Sequence, residues 1–152
     1  MDMNDINKKA LASLNDLIET CKDGEVGFRT AAEGLTDPTV KATFAKFSRE
    51  RGQMARDLQD EVKGLGGTPE TSGSTSAALH RGWINIKSAV TGKDDKAIVA
   101  EAERGEDVAK AAYEAALKVA LPGQVKALVE RQAAQVRAAH DHVRSLEKTT
   151  AH

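Results

Sequence analysis

The fold of this chain depends on the stretch between its second and third long predicted helices, residues 64–94: GLGGTPETSGSTSAALHRGWINIKSAVTGKD. Its opening glycines, Pro69 and the following Ser and Thr residues end any helical pattern. Antiparallel helices are usually joined by about 2–8 residues, whereas this stretch has about 30. It is long enough to run the length of a helical bundle. It therefore predicts a crossover, after which the next helix runs in the same direction as the one before it.

Apolar residues outside this stretch recur at alternating spacings of three and four, which predicts long amphipathic helices. Asp37 as N-cap and Pro38 at the first helical position mark the start of the second helix. Asp94 or Asp95 is the predicted cap of the third. The predicted long helices cover residues 4–34, 38–64, 95–120 and 123–147, and a short helix is predicted within the crossover at 76–90. The predicted fold is all-α: a single four-helix-bundle domain over residues 1–152, with a long crossover between its second and third long helices.

The composition supports helices and argues against several classes of partner. Charged residues make up 30% of the 152 residues and aromatic residues only 3%, which disfavours a β-sandwich. The formal net charge is −1, so bulk charge gives no reason to expect binding to nucleic acid or an anionic membrane. No apolar run approaches the roughly 20 residues that span a bilayer. The polar N-terminus and the single cysteine, Cys21, predict a cytoplasmic protein.

Polar residues interrupt the apolar stripe of each long helix. Glu25, Glu50, Glu106 and Gln135 occupy, or adjoin, positions where a core residue is expected. If the crossover topology is correct, these residues lie within about one helical turn of a common plane, at about 1.5 Å per residue. The candidate metal ligands at this level are Glu25, Glu50, Glu103, Glu106, Gln132 and Gln135.

Two interpretations of this polar level remain open. Carboxylate-bridged di-iron bundles take a Glu-x-x-His motif from each of two helices, but here Gln53 and Gln135 occupy the histidine positions. Such a site would hold at most a single iron or manganese ion. Alternatively, the residues form a hydrogen-bonded network in which Arg51 neutralises the carboxylates without metal.

Two glycines and a tryptophan offer further clues to packing. Gly24 and Gly27 lie inside the first helix, where each costs about 1 kcal/mol relative to Ala. Either they admit a close neighbour beside Glu25, or they are tolerated weak points. Trp83 and His80, one turn apart in the crossover, are expected to fix it to the bundle.

The sequence resembles an uncharacterised bacterial family of ferritin-like four-helix-bundle proteins. The matching segments are 14–20 (LNDLIET), 23–28 (DGE-x-GF), 65–69 (LGGTP), 79–83 (LHR-x-W), 103–107 (ERGED) and 130–132 (ERQ). The resemblance implies the crossover bundle and supplies no function, because the family is one of unknown function. Similarity to ferritins and rubrerythrins extends only to Glu25, Glu50 and Glu106, whereas Gln53, Gln132 and Gln135 depart from their pattern.

These observations favour a non-enzymatic bundle with a degenerate di-iron-type polar core and no cofactor, acting through its surface or as a homo-oligomer. The alternative is a protein that binds a single iron or manganese ion and serves in stress or metal handling. A third hypothesis is a ferroxidase-type di-iron enzyme.

Overall fold

A computed structural model of the chain describes residues 3–71 and 82–149. Within these ranges the chain is helical and contains no strand. The helices are α1 (Met3–Gly34), α2 (Pro38–Gly64), α3 (Ile86–Thr91), α4 (Asp95–Ala116) and α5 (Gly123–Thr149). The four long predicted helices and a short helix in the crossover are therefore confirmed. None of the helices in these ranges has the length and apolarity needed to cross a membrane.

Two predicted helix ranges were too long. Within the described part of the crossover, the short helix begins only at Ile86, because Gly82 has a φ of 94°, which an α-helix does not contain. The remainder of that prediction, including His80, lies outside the described residues. The third long helix ends at Ala116 rather than at 120. After it, the amides of Lys118 and Val119 bond to carbonyls three residues back, a tighter turn typical of helix ends.

The corner between α1 and α2 follows the predicted capping chemistry. The Asp37 carboxylate accepts hydrogen bonds from the amides of Thr39 (2.9 Å) and Val40 (3.2 Å), and Pro38 is the first residue of α2. Only residues 35–37 separate the two helices. So short a connection makes α1 and α2 an antiparallel pair.

Asp95 fixes the direction of α4 relative to this corner. Its carboxylate accepts hydrogen bonds from the Thr36 amide (2.9 Å), the Thr36 hydroxyl (2.9 Å) and the Asp37 amide (3.0 Å). Asp94 caps α4 itself by accepting from the Lys96 amide. Helices α2 and α4 therefore begin at the same end of the molecule and run in the same direction, as the length of the crossover predicted.

Helix α5 begins at the opposite end. The Gln124 side-chain amide donates to the Glu61 carboxylate at 3.2 and 3.3 Å, which places the start of α5 beside the end of α2. Helix α1 packs against both α2 and α4, α4 packs against α5, and the contact between α2 and α5 is the sparsest among the helix pairs that touch. This leaves a groove between α2 and α5.

The apolar core consists of two clusters along the helices. The first is formed by residues around Leu14 and Leu17 of α1, Leu58 of α2, and the facing parts of α4 and α5. The second lies at the α1–α2 corner and is built around Phe28 and Phe44, with Trp83 from the crossover. Buried polar side chains occupy the level between them.

Trp83 fixes the crossover between two helices. A Cβ atom at either Gly27 of α1 or Gly105 of α4 would overlap the Trp83 indole. The indole also packs edge-on against Phe28, with ring centroids 4.9 Å apart. The expected role of Trp83 is confirmed, and Gly27 is present because a larger residue would not leave room for the ring.

Candidate functional site

An ion pair forms the centre of the buried polar level. Arg51 of α2 and Glu106 of α4 make two parallel hydrogen bonds of 2.6 Å, Nη1 to Oε1 and Nη2 to Oε2. The side chains are 3% and 0% exposed. Both oxygens of the Glu106 carboxylate are thus engaged, in the bidentate geometry to which a guanidinium is suited.

The neighbouring helix α1 leaves room for the long side chain of Arg51. A Cβ atom at Gly24 would lie 3.2 Å from Arg51 Nη1 and 3.4 Å from its Cγ, so the missing side chain on α1 leaves room for the guanidinium. On another side, Arg51 Cζ lies 5.5 Å from the centroid of the Phe28 ring, within the range of a cation–π contact. Of the two interpretations of Gly24 and Gly27, close approach of a neighbour is confirmed at both positions.

Glu106 keeps Arg51 charged. Burial alone would lower the pKa of Arg51, but the charge of the Glu106 carboxylate and its hydrogen bonds raise that pKa above its ordinary value. The two side chains are therefore a true ion pair within an otherwise apolar interior, where either charge alone would be costly.

A second set of hydrogen bonds extends from this level toward α5. The Tyr113 hydroxyl donates to Gln132 Oε1 (2.7 Å), and Gln132 Nε2 donates to the Met54 carbonyl (3.1 Å). Cys21 Sγ lies 3.1 Å from the Tyr113 oxygen. Since the only Tyr113 hydroxyl proton points to Gln132, the thiol of Cys21 is the donor in that contact. The chain of donors thus links all four long helices.

The pKa values of Cys21 and Tyr113 indicate that both side chains are uncharged at neutral pH. Burial raises the pKa of Cys21 to about 11, although the hydrogen bond with Tyr113 opposes the shift. Burial, and to a lesser degree the Cys21 thiol, raise the pKa of Tyr113 well above its usual range. Neither group is a thiolate or phenolate ligand at neutral pH.

The predicted ligands do not all meet. Glu106 and Gln132 are buried in the polar level, but Glu25 is partly exposed and pairs with Lys22 on its own helix at 3.3 Å. Glu103 is partly exposed on α4. Within residues 3–71 and 82–149, no three carboxylate, imidazole or thiol side chains are grouped as ligands of one ion.

Glu50 and Gln135 belong to the groove between α2 and α5. This α2–α5 groove has a volume of about 220 Å³, and Glu50, Asp57, Gln132 and Gln135 are among the residues that line it. Glu50 is partly exposed and Gln135 is exposed, so of the predicted ligands in this groove only Gln132 belongs to the buried level as well. Whether these residues hold a metal stays a prediction.

One polar link between α4 and α5, buried only on its histidine side, was not anticipated. His140 of α5 is 4% exposed, and its Nε2 lies 2.6 Å from Asp107 Oδ1 of α4, while its Nδ1 lies 3.2 Å from Asp141 Oδ1. The sequence marks Asp107 and His140 only as helical polar residues. Their pairing depends on the packing of α4 against α5, which no local pattern reveals.

Comparisons with known proteins identify a family without a known activity. The family model described as a domain of unknown function (DUF2383) matches residues 9–119. The match includes Cys21, Arg51, Glu106 and Tyr113, and ends before Gln132. A comparison with curated proteins found no significant match.

Proposed function

We propose a function for this chain, which belongs to the DUF2383 family. It is a non-enzymatic ferritin-like bundle that acts through its surface. Its polar core holds an ion pair at the level where di-iron bundles place their ligands. We further propose that it acts in the cytoplasm, and that it is of bacterial type.

One observation carries the proposal: both oxygens of Glu106 are bound by Arg51. A carboxylate in a di-iron bundle must offer its oxygens to a cation. Here a guanidinium takes that place, and an added cation would have to displace it at the cost of a buried, unpaired arginine. The donor set of Arg51, Tyr113, Gln132 and Cys21 thus fits a structural network better than a dinuclear site.

The topology supports the ferritin-like part of the proposal. Helices α2 and α4 run in the same direction, joined by a long connection with a short helix, and α5 returns beside α2. Ferritin-like bundles have one such crossover.

A specific observation favours the alternative of a single iron or manganese ion. Glu50, Asp57 and Gln135 line one groove that opens to solvent. Carboxylate and amide oxygens suit these cations, although the neutral amide is a weak ligand. A ferroxidase-type enzyme would require a second cation, and Glu106 is engaged by Arg51.

Metal analysis distinguishes these functions. Protein purified without a chelating tag would be incubated with ferrous iron under anaerobic conditions, or with manganese, then desalted and analysed for metal. We expect only trace metal, the same in wild type, Glu50→Gln and Glu106→Gln, with Glu130→Gln as an exposed control. Stoichiometric metal that Glu50→Gln abolishes and Glu130→Gln retains would overturn the proposal in favour of the metal-binding alternative.

A further inference from the structure

A groove on the outer side of α1 and α2 carries cations without partners. This α1–α2 groove, of about 340 Å³, lies between residues of both helices: Arg29, Ala32, Glu33, Lys41, Ala45 and Arg49. Ala32 and Ala45 form its floor, and Arg29, Lys41 and Arg49 are all exposed at its sides. Small side chains on the floor let another chain approach the two helices closely.

The three cations of this groove outnumber its carboxylates and form no ion pair within the described ranges. In the same ranges, Arg51 and Arg104 form ion pairs with glutamates, whereas the three groove cations, like the arginines at 56, 131, 137 and 144, do not. The groove has one carboxylate, Glu33, in a chain of formal net charge −1. It is therefore a local concentration of positive charge on a protein that is slightly acidic overall.

The spacing of the cations indicates the shape of their partner. Lys41 and Arg49 are eight residues apart on α2, about 12 Å along the helix axis. Cations at this spacing match two anionic groups placed about two helical turns apart on a partner. The lining contains no aromatic side chain on which a base could stack, and three phosphate contacts would give little affinity for nucleic acid.

We propose that the α1–α2 groove binds an acidic amphipathic helix of a partner protein. Small apolar side chains of that helix lie on Ala32 and Ala45, and carboxylates about two turns apart meet Lys41 and Arg49. Glu33 repels any acidic residue of the partner that lies against it, and so it selects the order of charges along the partner helix. This inference rests on the proposed function, since it takes the surface rather than the core to be the working part.

The test uses synthetic peptides of defined charge. A fluorescently labelled amphipathic helix with an alanine and leucine face carries glutamates seven or eight residues apart, and a matched peptide carries glutamines instead. We expect the wild-type protein to bind a glutamate peptide at least about tenfold more tightly, and added salt to remove the difference. Equal affinity for the glutamate and glutamine peptides would overturn the inference.

Matched variants locate the binding surface. The triple variant Arg29→Gln, Lys41→Gln, Arg49→Gln should lose the preference for glutamate. A control triple variant of equal charge, at three exposed cations outside the groove, should retain it; its substitutions are Lys46→Gln, Lys63→Gln and Arg137→Gln.

Three other outcomes also contradict the inference: equal loss in both triple variants, preferential binding of a DNA duplex over the peptide, or self-association of the chain through the groove in sedimentation. If the peptide tests contradict this inference, the proposal of a metal-free core is unaffected. Conversely, stoichiometric metal in the core would overturn the proposed function without changing the result with the peptides.

Discussion

Replacing Arg51 by methionine should destabilise the protein severely, whereas replacing both members of its ion pair should not. Arg51→Met leaves the Glu106 carboxylate, which is 0% exposed, without its partner. Loss of one partner of a buried pair costs about 3–5 kcal/mol of the free energy of unfolding. When both charges are removed, as in Arg51→Met/Glu106→Met, no charge stays buried. The double variant should then lie within about 1 kcal/mol of wild type, or above it.

The size of this effect makes it measurable. A protein of this length has a total stability of about 5–15 kcal/mol, so the single substitution removes a large part of it. At roughly 2–4 °C per kcal/mol, the Tm of Arg51→Met should fall by roughly 6–20 °C. Glu106→Met should have a similar cost, because it leaves the guanidinium unpaired.

Urea unfolding, monitored by far-ultraviolet circular dichroism, gives the free energy of unfolding for the four proteins of this double-mutant cycle. Lys22→Met is the control, since the Lys22–Glu25 pair is partly exposed and of the i,i+3 type, worth no more than about 0.5 kcal/mol. The reasoning is refuted if Arg51→Met costs no more than Lys22→Met. It is equally refuted if the double variant loses the sum of the two single losses.

Two further predictions concern the contacts that hold the crossover and the corner. Gly27→Ala and Gly105→Ala should each lower the free energy of unfolding by about 1–3 kcal/mol, because the new methyl group overlaps Trp83. Gly64→Ala, with no other atom nearby, should leave it nearly unchanged. Urea unfolding measures these differences, and an equal effect at Gly64 would contradict the prediction. Asp95→Asn should lower stability at pH 7 by about 1–3 kcal/mol. Burial alone would raise the pKa of Asp95, but hydrogen bonds from Thr36 and Asp37 lower it in the folded protein. The stabilisation by the Asp95 carboxylate is therefore present at neutral pH and is lost as the group is protonated at acidic pH. Unfolding at neutral and acidic pH should show the variant and wild type converging on acidification, and a gap independent of pH would refute a role for the charge.

Local chemistry made parts of the fold predictable. Asp37 and Pro38 determine the start of α2 through hydrogen bonds and a fixed φ within a few residues, so that boundary was predicted to the residue. The length of the crossover predicted the direction of α4. The end of α4 was less predictable, because the apolar pattern continues through Leu117 after the helix has tightened into turns.

The polar level was only partly predictable, because a helical stripe does not resolve neighbouring positions. Both Glu50 and Arg51 were consistent with the inward face of α2, and it is Arg51 that is buried. The arginine side chain reaches Glu106, while Glu50 stays at the groove, partly in water. Gln135 lies at the edge of the stripe and is exposed, whereas Gln132 is bonded to Tyr113. Such choices depend on partners from other helices, which the pattern of one helix does not contain.

The position of the Arg51–Glu106 pair between two apolar clusters has a consequence for how the helices align during folding. The clusters alone would tolerate a sliding of α2 along its neighbours, since one apolar residue replaces another at low cost. A shift of one turn, about 5.4 Å, would move Arg51 away from Glu106 and bury two separate charges in apolar surroundings. The pair therefore sets the helical register: it makes the slipped arrangements expensive, whatever it adds to the stability of the correct one.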